Sequence, residues 1–70
     1  MKARSIRISR IEAGQYTVVD VDTGEEVAHI YKDPTRVERP WVFSDHTTGD
    51  MLSSRSLADA KDVAHEELER

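Results

Sequence analysis

Three histidines, His29, His46 and His65, are the side chains best suited to bind a metal or move a proton. They fall on three different predicted elements, and no His-x-x-x-His or comparable ligand spacing joins them. The chain has no cysteine, so neither disulfides nor the usual Cys-bearing zinc sites are available. Carboxylates gather at Asp20, Asp22, Glu25 and Glu26, and again at Asp45 and Asp50. Neither group follows the calcium loop, which needs oxygens at alternating positions and a terminal Glu. Both groups read as solvated turn residues. Ser44, Ser53, Ser54 and Ser56 lack the strained elbow and adjacent base that a nucleophile requires. The three glycines are isolated, so no phosphate loop is present. The sequence therefore offers no catalytic, metal-binding or cofactor-binding residue, and the expectation is a protein without enzymatic activity.

Binding is the remaining class of chemistry. Residues 1–11 carry Lys2, Arg4, Arg7 and Arg10 and no acid, whereas residues 41–70 hold three basic groups against seven acids. With Lys32, Arg36 and Arg39 further on, these cations could follow a phosphate backbone while Tyr16, Tyr31 or Trp41 stacks on bases. Ten basic against fourteen acidic residues give a net charge of −4, which disfavours a polyanion. The leading expectation is instead protein–protein contact through Ile6, Arg7, Ile8, Ile11, Val37, Trp41 and Phe43.

These residues must be positioned by a short series of strands. In residues 5–11, Ile6 and Ile8 alternate with Arg7 and Ser9, the period of a strand with one wet side. Residues 15–21 form a second strand with apolar groups on both faces, which suits a central position. Asp22-Thr23-Gly24-Glu25 is a turn, and 26–31 resumes the extended pattern. Residues 32–40, which include Pro34 and Pro40, form a long surface loop. Residues 41–44 and 51–53 form a second hairpin around Gly49. Its Thr-Gly-acid turn echoes the first, as two hairpins with one turn chemistry would.

The last segment is helical. Ser56 followed by Asp59 is an N-cap signature, and Leu57, Ala60, Val63, Ala64 and Leu68 make one stripe over 57–68. Its central alanines let a helix approach a sheet closely. The expected fold is α+β: a small antiparallel β-meander of three to five strands with one C-terminal helix packed on one sheet face, all in a single domain.

Seventy residues leave little margin. Apolar burial supplies on the order of 105 kcal/mol, and ordering the chain costs about the same. Self-association is one way to close that gap, and the uncovered first strand is a natural pairing edge. No stretch is apolar enough to cross a membrane, and the first residues lack the apolar core of a signal peptide. The expected compartment is the cytoplasm.

Thr-Gly-Glu-Glu-Val-Ala (23–28), Arg-Pro-Trp-Val-Phe (39–43) and Ser-Leu-Ala-Asp-Ala-Lys (56–61) together resemble small uncharacterised proteins of actinobacteria and their bacteriophages. The last two runs also resemble the ending of small antitoxin-like and double-stranded-RNA-binding-like folds. The resemblance transfers no functional residue. It implies a bacteriophage accessory protein working in the host cytoplasm by binding a host protein. The combined expectation is an interaction module that forms a homodimer, with nucleic-acid binding through the first strand and the 32–40 loop as the alternative.

Overall fold

The computed structural model describes residues 5–69. Strands β1 (Ile6–Glu12), β2 (Gln15–Asp20), β3 (Glu26–Lys32), β4 (Trp41–Asp45) and β5 (Met51–Ser54) are followed by helix α1 (Leu57–Leu68). They form one antiparallel sheet in the order β1-β2-β3-β4-β5. The architecture is thus α+β, and every element lies within one residue of its sequence-based bounds.

The register explains which face is buried. Ile8, Val18, Ala28 and Asp45 lie across from one another in successive strands, as do Tyr16, Ile30, Phe43 and Leu52. This face meets α1, which contributes Ala60, Ala64 and Leu68 to a core with Ile6, Val18, Val27, Ala28, Ile30 and Phe43. The two helical alanines are fully buried, so the backbone of α1 lies close to the sheet. Leu57, Val63, Tyr16, Trp41 and Ile8 pack around this centre. Ser56 caps the helix, its side chain accepting from the Asp59 N–H at 3.2 Å.

Strict alternation fails in β3. Val18 pairs with Ala28 but Val19 pairs with Glu26, so Val27 is the extra residue of a β-bulge. Val27 and Ala28 are consequently both buried in the core, where the sequence pattern set them on opposite faces. A second irregularity falls between Arg10 and Glu12 and leaves Ile11 out of register.

The two long hairpin turns are built alike. Asp20 and Asp45 close them, the backbone N–H of each donating to the carbonyl of Glu25 and Asp50, both at 2.9 Å. Each Asp carbonyl accepts from a glycine four residues on, Gly24 or Gly49, with φ of 76° and 80°. Each Asp Oδ1 accepts from the backbone two residues on, Asp22 at 2.9 Å and Thr47 at 2.8 Å. These two carboxylates are therefore buried turn-closing groups, a correction to their reading as solvated. Burial pushes the Asp45 carboxyl up, but hydrogen bonds from Thr47 and Thr48 outweigh it and hold the group below its ordinary value.

Candidate binding cleft at the loop end of the sheet

A meander sends its connections alternately to two ends. Turn 13–14, loop 33–40 and the link 55–56 lie at one end, together with the start of α1. Turns 21–25 and 46–50 lie at the other, together with the end of α1. Charge follows this division. Segments 20–26, 45–50 and 65–69 contain nine acidic residues and no Lys or Arg. Segments 10–15, 32–41 and 53–57 contain Arg10, Lys32, Arg36, Arg39 and Arg55 against Glu12, Asp33 and Glu38. The loop end is net basic in a protein that is net acidic.

At this end an open cleft of about 490 Å³ is lined by Ala13, Gly14, Gln15, Lys32, Pro34 and Trp41. Gly14, at φ 76°, makes the two-residue turn, and its carbonyl accepts from the Lys32 N–H at 2.9 Å. Lys32 sits opposite Trp41 across β3 and β4. Asp33 organises the loop: its N–H donates to the Pro40 carbonyl at 2.6 Å, and its Oδ1 accepts from the Thr35 N–H at 3.0 Å and hydroxyl at 2.6 Å. Arg36 Nε lies 3.4 Å from Asp33 Oδ2. The Thr35 hydrogen bonds, with Arg36 adding to them, hold the Asp33 carboxyl below its ordinary value. Trp41 packs edge-on against Tyr16, centroids 6.0 Å apart at 61°, and Lys61 of α1 places Nζ 5.5 Å from the Tyr16 ring centre. The indole is half-buried and its attitude is set by sheet and helix together.

The sheet face away from α1 is largely polar and satisfied by its own side chains. His29 Nε2 lies 2.7 Å from Gln15 Oε1, and the His29 ring meets Tyr31 edge-on at 5.7 Å. The Thr17 hydroxyl donates to Glu26, and His46 Nδ1 is 3.7 Å from Glu26 Oε1. Val42, flanked in register by Tyr31 and Ser53, is only 1% exposed.

The structure divides the residues singled out from the sequence. Ile6 and Phe43, expected at an interface, are 9% and 0% exposed beneath α1, because their strand positions share the helix-facing side. Ile8 packs against the same core but stays half-buried. Arg7 is exposed on the opposite face. Ile11 and Val37, 58% and 93% exposed, share the loop end with Trp41. Of the expected nucleic-acid contacts, Arg10, Lys32, Arg36 and Arg39 come to this end. Lys2 and Arg4 lie outside the described residues.

The histidines remain apart. His65 Nδ1 lies 2.5 Å from Oε1 of Glu69, the residue that caps the end of α1. Among the described residues no group of three His, Cys, Asp or Glu could hold a metal ion. Ala13, Gln15 and Arg55 at the loop end were not singled out beforehand, and Pro34 was named only as part of the loop. Counting strand register back from Gly14 and Trp41 is the signal that reaches Gln15 and Lys32. No family model, curated protein or solved structure matches the chain. None of the described helices is long and apolar enough to cross a membrane.

Proposed function

We propose that this protein is a non-enzymatic interaction module that pairs with a second copy of itself along β1, giving a homodimer with one continuous sheet. The observation that carries this reading is the free edge of β1, a seven-residue outer strand whose far side no other described strand occupies. The opposite edge, β5, has four residues. A row of unpaired backbone groups on a long edge is a template for a second strand.

A two-fold axis at Ile8 uses the five regularly paired residues 6–10 and avoids the irregularity at Ile11. In this antiparallel register Ile8 meets its counterpart on the helix-covered side, where the monomer leaves it half-buried. Arg10 lies opposite the partner's Ile6 and Arg7 opposite the partner's Ser9, so no two arginines are juxtaposed. The host-protein partner implied by the bacteriophage resemblance would use the same edge, by adding its own strand.

Thermal melts over a hundredfold range of protein concentration test the proposal. Because dissociation accompanies unfolding, Tm rises with concentration for the dimer. A constant Tm together with a monomer mass by light scattering refutes it.

A further inference from the structure

We infer that the cleft beside Trp41 is a binding site for single-stranded nucleic acid: one base stacks on the indole while Lys32, Arg36 and Arg39 hold the adjoining phosphates. This goes beyond self-association and does not rest on it. The charge division removes the main objection to a polyanionic ligand. The acidic turns lie about 17 Å away along the six-residue β2, roughly twice the Debye length of about 8 Å at physiological ionic strength. A ligand at the loop end is therefore largely screened from the nine acids and meets a locally basic surface.

The cleft supplies what a nucleotide needs. Trp41, Pro34, Ala13 and Lys32 all line it. Its volume of about 490 Å³ lies within the range of small-ligand clefts, about 300–1,000 Å³. The Tyr16 ring packs against the indole and fixes its orientation before a base arrives.

The same geometry argues against an extended peptide as the ligand. The strand residues lining the cleft belong to β2, β3 and β4, interior strands whose backbone groups are committed to their neighbours. No free ladder is offered there for β-addition. What remains is an aromatic side chain and nearby cations, a set that matches bases and phosphates. A duplex keeps its bases stacked and cannot insert one, so the site selects single strands.

Trp41 is the chain's one tryptophan, so its fluorescence reports on the cleft directly. Titration of the full chain with a ten-residue oligothymidylate at low salt should give saturable quenching. Two to four phosphate contacts predict a log–log salt slope of about −1.4 to −2.8. The double variant Lys32→Glu with Arg39→Glu changes two exposed side chains. It should weaken binding at least tenfold with an unaltered far-UV circular dichroism spectrum. Trp41 also packs against the core, so these charge variants rather than a Trp41 variant carry the test. Absence of quenching overturns the inference. Equal quenching by decaglutamate overturns it in favour of an acidic protein partner, and equal binding of a ten-base-pair duplex removes the stacking step.

Discussion

Placing a charge at Ser9 tests both the β1 pairing and its register. With the axis at Ile8, each Ser9 faces the partner's Arg7, and symmetry presents that pair twice. Ser9 pairs with Thr17 within its own sheet and is half-buried on the face away from α1. Ser9→Asp therefore sets a carboxylate opposite a guanidinium at two places, and Ser9→Lys sets two cations together. A cross-strand charge pair contributes about 0.2–1 kcal/mol. Two pairs give about 0.4–2 kcal/mol, or roughly 2- to 30-fold in the dissociation constant. Sedimentation equilibrium at low salt should show Ser9→Asp dimerising more tightly than the parent and Ser9→Lys more weakly. Adding Arg7→Asp to Ser9→Lys should restore dimerisation. The dissociation constant is the quantity to compare, because Ser9→Lys also lies near Thr17 and Glu26 within one chain and can alter monomer stability. If Ser9→Asp and Ser9→Lys dissociate alike, the register is wrong. If both remain monomeric at every concentration, the pairing itself is wrong.

Two further predictions concern the fold. Because the folded Asp45 carboxyl titrates below its reference value of 3.8, the unfolded chain takes up the proton first on acidification. Its contribution is complete above that reference value and is lost as pH falls through the lower folded value. Urea denaturation across pH 2–7 should show this acid limb in the parent and a flatter one in Asp45→Asn; identical limbs would remove Asp45 from the account. At Ala64, fully buried between α1 and the sheet, substitution by Leu overpacks the contact. The cost is about 1–3 kcal/mol, a drop of at least about 4 °C in Tm. Ala58→Leu on the exposed side of the same helix is the control, and equal Tm values for the two variants would refute the close approach.

The elements were legible in the sequence because each depends on local periodicity. The stripe from Leu57 to Leu68 has helical spacing, and Ser56 marks its start. Trp41 and Phe43 share a face because they are two apart in a strand. The Thr-Gly-acid echo marked the two matching turns, although it missed that Asp20 and Asp45 close them from buried positions. The bulge at Val27 was not legible, since it depends on the register between β2 and β3 and leaves Val27 and Ala28 individually unremarkable. Ile6 and Phe43 were assigned to an interface, whereas their strand positions share the face that α1 covers. The loop-end cleft was hidden because Gln15, Lys32 and Trp41 are far apart in the chain and meet only once the strands are laid in order. Net charge concealed the division of charge, because a sum over the chain discards position.

The strand order has a kinetic consequence. Every pairing joins neighbours along the chain, across connections of two, five, eight and five residues. No distant segment has to be found before a hairpin can close, and loop-closure entropy grows only slowly over such lengths. Individual hairpins close in about 1–10 μs. Assembly can zip outward from either Asp-closed turn, and α1 settles once the sheet has a face to receive it. Such a chain would spend little time with its strands unpaired, when misassociation is most dangerous.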